Sequence, residues 1–470
     1  MRLFRSIALV TAIANFGAQA DLLAAARPQI WSQTGDNPML LVPQQDELVL
    51  MRQTKEGYAA LGSLNVKTHG IHAMAMANIA GRTLPVFVTE QGIDVLTNAA
   101  SLLPQRLIQL NHLYQGRQMQ DALAAMQHID FVFDLNHDGL SDMLLPDAQG
   151  LVLAIQQGNG GFHLQSVALP RHSHFTALSF ESPSVSLSLP YAFVQADTKG
   201  DGRRDLLFVY ADKVWALLME TTPANADSTF TLHSIASVAD YVQQQEERLR
   251  FAALTDINGD SVPDLILYQT NIDKDTSQHL LVYPGQHNEN ALLSFRATAQ
   301  GRIKVTGELV DVGFADFSGD GKAEAYTLAT ELGMGSLFSV ISGGGLDMQI
   351  HMYLQTDDGQ FKQTDSATQT TEFALDMQGL QFGTWFQAAP FITAKRHDLL
   401  YLADSQTLKL AVGHQQKGLA GKGKNLARAE HNRQHWFVTL DTDNDLVWEL
   451  YLKEFEGKVL KNLQRVTIQP

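Results

Sequence analysis

One nine-residue pattern recurs along this chain and limits its fold more than any other feature. Asp134-Leu-Asn136-His-Asp138-Gly139-Leu140-Ser-Asp142 precedes Met143-Leu-Leu, and Asp197-Thr-Lys199-Gly-Asp201-Gly202-Arg203-Arg-Asp205 precedes Leu206-Leu-Phe. Asp256-Ile-Asn258-Gly-Asp260-Ser261-Val262-Pro-Asp264 precedes Leu265-Ile-Leu, and Asp316-Phe-Ser318-Gly-Asp320-Gly321-Lys322-Ala-Glu324 precedes Ala325-Tyr-Thr. The first positions lie 63, 59 and 60 residues apart. A fixed period of this size marks a repeat architecture, whose units bury their apolar faces against one another.

The flanks repeat as well. An apolar stretch such as Phe131-Val-Phe or Phe251-Ala-Ala-Leu leads into each loop. After the first loop come Met143-Leu-Leu, a polar turn, Leu151-Val-Leu-Ala-Ile155, the turn Gly158-Asn-Gly-Gly-Phe162 and a strand-like run to Leu169. Short β-prone runs punctuated by Gly, Asn and Asp predict all-β structure, and four strands in about 60 residues are the content of one β-propeller blade.

Fainter copies extend the array. Pro38–Val42 and Glu47–Met51 read as the strands after a loop, and Asn78-Ile-Ala-Gly81 as a loop without its acids. Arg396-His-Asp398-Leu-Leu-Tyr401 parallels Arg203-Arg-Asp205-Leu-Leu-Phe208. Asp441-Thr-Asp443-Asn-Asp445 is open between a metal loop ending at Glu449 and a hairpin turn; the hairpin is preferred, because Asp445-Leu-Val-Trp448 aligns with Asp212-Lys-Val-Trp215. The expected fold is a β-propeller of four-stranded blades, seven by the period, or eight if the N-terminal strands form a blade of their own. Closure is expected to pair N- and C-terminal strands, which removes open edges. Inserts fall at 171–190, 220–248 and 356–389, and a short helix is expected from Ala239 to Leu249.

The acidic loop followed by an apolar strand resembles the FG-GAP/VCBS repeat, the repeat of the integrin α-subunit propeller and of many exported bacterial proteins. The resemblance is clear over residues 125–330 and faint over most of the remainder. It implies a propeller with Ca²⁺ in inter-strand loops, serving binding or assembly more often than catalysis.

Calcium needs six to eight oxygens, and its extracellular-type sites are weak. Loop positions 1, 3 and 5 turn inward, position 7 offers its carbonyl and position 9 closes the shell, while Gly at position 6 permits a sharp reversal. The expected ligands are Asp134, Asn136, Asp138, the Leu140 carbonyl and Asp142 in the first loop. In the second they are Asp197, Asp201, the Arg203 carbonyl and Asp205, with Lys199 at position 3 bringing an ammonium that competes with an ion. In the third they are Asp256, Asn258, Asp260, the Val262 carbonyl and Asp264, and in the fourth Asp316, Ser318, Asp320, the Lys322 carbonyl and Glu324. The bland alternative is that these acids only cap turns through Asx hydrogen bonds.

Arg2 and Arg5, the apolar run Ile7–Phe16 and the small-x-small Ala18-Gln-Ala20 read as a signal peptide over 1–20. The expectation is an exported, periplasmic or secreted protein with one propeller domain over 21–470, and a monomer. Its cleavage takes the net charge from -16 to -18. That acidity argues against nucleic-acid partners. The absence of Cys excludes disulfides, thiolate metal sites and thiol nucleophiles, and no later segment is apolar enough to span a membrane. No nucleophile elbow, zinc motif or phosphate loop is present. His172/His174, His69/His72, Gly343–Gly345 and the basic stretch Lys417–Arg428 read as polar inserts and surface turns. The expected role is therefore a binding or scaffold module with a protein or glycan partner on a propeller face. The alternative is a propeller-fold polysaccharide lyase or hydrolase with a central active site.

Overall fold

The computed structural model describes residues 28–31, 39–110, 130–170, 173–176, 184–187, 190–220, 229–271, 278–330, 346–373, 386–429 and 436–468, apart from residues 45, 90, 148–149, 243–246, 290, 357–358, 365–367, 405, 444 and 458. The expected signal segment 1–20, His172 and Gly343–Gly345 lie outside the described residues. The described chain is all-β, built of small antiparallel sheets, and divides into two compact units. One comprises 21–236 with 453–464; the other comprises 237–452 with 465–470. Among the described residues no helix is long and apolar enough to cross a membrane.

The first unit repeats one simple element, an antiparallel meander of four strands. Ile71–Ile79, Arg82–Thr89, Gly92–Val95 and Gln105–Gln109 form one sheet. Val132–Phe133, Asp142–Asp147, Gly150–Gln156 and Phe162–Ala168 form the next, and Tyr191–Ala196, Asp205–Tyr210, Lys213–Glu220 and Thr229–Ser237 a third. The N-terminal strands Met39–Gln44, Glu47–Gln53 and Gly57–Asn65 form a further sheet. The C-terminal strand Val459–Val466 joins its edge, with Asn462 opposite Ala59 and Gln464 opposite Gly57. The pairing of the two chain ends in one sheet therefore forms as expected.

The second unit continues the pattern. Its sheets are Glu247–Thr255, Asp264–Asn271, Gln278–Tyr283 and Gly301–Val305; then Glu308–Ala315, Glu324–Thr330, Leu346–Gln355 and Phe361–Gln363; then Phe386–Ala389, Asp398–Leu402, Thr407–Ala411 and Lys424–Arg428. Phe437–Leu440 pairs with Glu449–Leu452.

Burial explains the sequence pattern. The second strand of several sheets is covered on both faces, so Asp205–Tyr210 and Glu324–Thr330 are buried at every position. A continuous apolar run such as Leu206-Leu-Phe-Val is what a doubly covered strand requires. The outer strand Phe162–Ala168 is mostly exposed or half-buried and carries polar residues. Apolar side chains pack between sheets, with Trp31, Phe87, Phe131 and Met143 in one cluster of the first unit and Phe317, Tyr326, Ile350 and Leu399 in one of the second.

Two expectations need correction. Among the described residues of the predicted helix over 239–249 only a 3-10 turn at Val238–Tyr241 is helical, and strand Glu247–Thr255 pairs back as far as Glu247 opposite Asn271. The Asp240 carboxylate accepts from the Ser237 N–H, and Tyr241 packs on Tyr283 at 4.5 Å. The basic stretch at 417–428 is not one surface loop, since Lys424–Arg428 is the fourth strand of its sheet.

Packing between sheets makes a direct prediction. Phe87 is fully buried, so Phe87→Ala is expected to cost about 3–5 kcal/mol in a urea titration. Leu103→Ala, at a residue 62% exposed, is expected to stay within about 0.5 kcal/mol.

Candidate metal centres

Each acidic loop joins the first strand of a sheet to the second in the same frame. The residue before the loop pairs with its ninth residue: Phe133 with Asp142, Ala196 with Asp205, Thr255 with Asp264 and Ala315 with Glu324. Ala389 with Asp398 and Leu440 with Glu449 have this frame too. The segment at 441 is therefore a full copy of the acidic loop, against the preferred hairpin reading. Its alignment with Asp212 fails because Ala211 and Asp212 form a two-residue turn, both at positive φ, between the second and third strands. The acid-free copy at Asn78 has shrunk to a two-residue turn at Ala80 and Gly81, with φ of 49° and 80°.

Position 9 is the anchor. Asp142 Oδ2 accepts from Leu135 N at 2.9 Å, and its Oδ1 from Gln156 N at 2.8 Å. Asp264 takes Ile257 N at 3.0 Å and Gly285 N at 2.9 Å in the same way. Asp398 takes Phe391, Ile392 and Gly413 N–H groups, and Glu324 those of Phe317 and Ser318. Glu449 Oε2 accepts from Thr442 N at 2.9 Å, and Arg465 donates to Oε1 at 3.1 Å. In the sheets of Asp142, Asp264 and Asp398 one carboxylate thus ties the loop start to the third strand. Two third-strand donors are glycines by necessity: a Cβ on Gly285 would sit 2.2 Å from the Pro263 carbonyl, and one on Gly413 2.2 Å from that of His397.

Positions 1 and 5 shape the loop. The position 1 acids accept from the N–H of position 6, as in Gly139 to Asp134, Gly202 to Asp197, Ser261 to Asp256, Gly321 to Asp316 and Leu446 to Asp441. The position 5 acids Asp138, Asp201, Asp260, Asp320 and Asp445 accept from the N–H of position 7 at 2.8–2.9 Å. The Asx turns of the bland alternative are therefore present in every acidic loop. A carboxylate has about four acceptor sites, so capping leaves lone pairs free for a cation.

Backbone conformation shows a requirement that the sequence reading missed. Position 4 as well as position 6 is left-handed: His137 at 61°, Gly200 at 67°, Gly259 and Gly319 at 79°. Glycine at position 4 of three loops was the available signal. At position 6, Ser261 at 69° and Leu446 at 68° adopt the conformation without being glycine.

The loops differ in how closely they gather charge. Among the described residues, the one place where three acidic side chains bring ligand atoms within 4.8 Å of one another is Asp441, Asp443 and Asp445. Asp441 Oδ1 is buried there and accepts no hydrogen bond. These groups, with the Val447 carbonyl and Glu449 in the frame, fit a hard divalent cation. In the first, third and fourth loops the expected side chains share one loop but stand further apart; Asn136 and Asn258 each donate to the position 5 carboxylate at 3.0 Å. In the 390–398 loop Pro390, Ile392 and Ala394 replace the acids, and only Asp398 remains. His69 and His72 gather no third ligand among the described residues.

Burial, opposed by the backbone donors, pushes the position 9 acids up: Asp142 and Asp264 to about 6 and Glu324 to about 7, with Asp205 and Asp398 raised too. Burial also works against the Asp197 anion, but the N–H groups of Gly202, Asp201, Gly200 and Lys199 outweigh it and hold that carboxyl low. The position 9 acids keep their protons better in the folded chain than in the unfolded one. Their stabilisation is complete below the ordinary values of 3.8 and 4.5 and is lost as pH rises through about 6 and, for Glu324, about 7.

Two outcomes follow. In EDTA, Glu324→Gln is expected to flatten the loss of melting temperature between about pH 5 and about pH 7.5, since both donors reach one oxygen, Oε2, that an amide keeps. An unchanged slope would count against it. Ser261→Gly relieves a left-handed side chain and is expected to raise unfolding free energy by about 0.5–1 kcal/mol in urea titrations.

No family model matches the chain, and no curated protein matches it. Among solved structures it is similar to an Agrocybe aegerita lectin described as recognising non-reducing terminal N-acetylglucosamine, at 14% identity and a TM-score of 0.47, over 82% of this chain and 89% of that one. It is also similar to a functionally unknown protein from Desulfotomaculum acetoxidans DSM 771, at 10% identity and a TM-score of 0.32, over 87% of each chain.

Proposed function

We propose that this chain is an exported, calcium-stabilised β-propeller of FG-GAP/VCBS type, forming one domain and acting as a binding or scaffold module for a protein or glycan partner. The observation that carries this reading is that the loops are not only alike but, within each unit, linked to their neighbours. In the second unit, position 8 of three successive loops donates its N–H to a carbonyl at the start of the loop before: Ala323 to Ile257 at 2.8 Å, His397 to Asp316 at 2.7 Å and Trp448 to Pro390 at 2.8 Å. In the first unit Ser141 donates to Asn78 at 3.1 Å. Loops at the same end of neighbouring sheets within a unit, bonded start to end, are what consecutive blades require. Six such sheets and one shared by the chain termini favour seven blades over eight.

Calcium supplies the positive charge these loops want. When bound it would be held by Asp441, Asp443, Asp445, the Val447 carbonyl and Glu449, and by the corresponding groups of the first, third and fourth loops. The binding role is favoured over catalysis because the carboxyls that burial pushes up are position 9 anchors. Each has at least one oxygen committed to the loop start, and Asp142, Asp264 and Asp398 also bond the third strand, which leaves them poorly placed to move a proton on a substrate.

The test is a melting curve of the chain lacking residues 1–20, in EDTA and in calcium, with magnesium as the control. Ligand at about 100 times its dissociation constant stabilises by about 2.7 kcal/mol per site. A calcium-specific rise in melting temperature that Asp441→Asn with Asp443→Asn reduces is expected. Identical melting in EDTA and calcium would end the calcium reading.

A further inference from the structure

Lys199 sets the second acidic loop apart, and we propose that it is the resident cation of that loop, its ammonium standing where the other loops take a divalent ion, so that this loop binds no metal. The inference rests on the calcium reading of the other loops. Position 3 offers an oxygen in every other acidic loop: Asn136, Asn258, Ser318 and Asp443. Lysine has three donors and no acceptor, so it cannot ligate a cation.

The side chain has a defined place. Lys199 Nζ donates to the Met219 carbonyl at 3.0 Å and stands 3.9 Å from Asp205 Oδ1. Met219 occupies the third-strand position of Gln156, Gly285 and Gly413, one past the residue opposite position 9. In those sheets the backbone N–H at that position donates to Oδ1 of the anchor acid. In the second loop the lysine bridges instead between the anchor oxygen and the third strand. Thr198 takes the other oxygen through its hydroxyl, which adds to the backbone N–H that donates to the anchor at this position as in the other loops. The Asp205 side chain is 7% exposed and that of Lys199 32%, so the pair is partly sheltered from water.

An ion held by Asp197, Asp201 and Asp205 would lie about 2.3–2.6 Å from their oxygens. That puts two like charges a few ångströms apart where screening is reduced. The loop has one cation built in, and it excludes the second. Its Asx turns are formed all the same, with Asp201 N and Gly202 N on Asp197 and Arg203 N on Asp201.

The experiment compares wild type with Lys199→Asn, which restores the position 3 residue of the first and third loops. Native mass spectrometry counts bound calcium, and melting in EDTA reports the cation's structural role. The variant is expected to bind one more calcium per chain, to melt about 2–4 °C below wild type in EDTA, and to recover in millimolar calcium. Asp201→Asn in the wild-type background is expected to leave the calcium count unchanged. Loss of an ion in Asp201→Asn, or no added ion together with unchanged EDTA melting in Lys199→Asn, overturns the proposal. If neither protein binds calcium, the calcium reading fails on its own, and the EDTA comparison still decides on Lys199: a fall supports it and no change refutes it.

Discussion

A carboxylate at the start of a doubly covered strand is expensive to bury, and this chain buries one in sheet after sheet. The cost is met locally. Backbone N–H groups from the loop start meet each anchor, and in most sheets a donor from the third strand completes it, as around Asp142, Asp264 and Asp398. Those N–H groups would otherwise be orphaned where the first strand stops, and leaving such donors buried without partners is costly. The same acid therefore satisfies the loop and pins it to its sheet.

The rest of the loop follows from that pin. With both ends fixed by the pairing of the preceding residue with position 9, the intervening residues must reverse direction twice. Left-handed backbone at positions 4 and 6 does so, held by the acids at positions 1 and 5. This brings several negative charges into one small loop, which must be offset. Three solutions coexist in one chain: the close triad at Asp441, Asp443 and Asp445 suited to a divalent ion, the ammonium of Lys199, and the loss of the acids at 390–398. The last retains the anchor Asp398 and the loop frame. Wherever the full loop is kept the anchor is kept with it, and the inward acids are the part that varies; in the sheet of Arg82–Thr89 loop and anchor are lost together.

Much of this was legible in the sequence, and the parts that were not have a common cause. The nonapeptide and its period placed the first two strands of four sheets, because loop and flanking strands are contiguous and their constraints are local. The 398 copy was visible through Arg396-His-Asp398 although its leading acids are gone. The loop at 441 reads as a hairpin because Asp445-Leu-Val-Trp448 matches Asp212-Lys-Val-Trp215, and only the strand pairing shows that Asp212 lies in a turn between the second and third strands. The third-strand partners Gln156, Gly285, Gly413 and Met219 were invisible. They lie 14 to 21 residues beyond the anchors, at spacings that depend on turn length. The ammonium of Lys199 was noticed as a competitor for the ion, but the Met219 carbonyl that receives it could come only from the fold.

The central claim is that these loops are equivalent corners of one repeat, with charge balanced by a metal ion in some and by the chain itself in others. Crystals grown with calcium replaced by terbium would test it most directly, through anomalous difference density located loop by loop. The account predicts peaks beside Asp441, Asp443 and Asp445 and at loops of the Asp134, Asp256 and Asp316 type, with none beside Lys199 or Asp398. Density at the Lys199 loop, or featureless maps at all of the acidic loops, would contradict it.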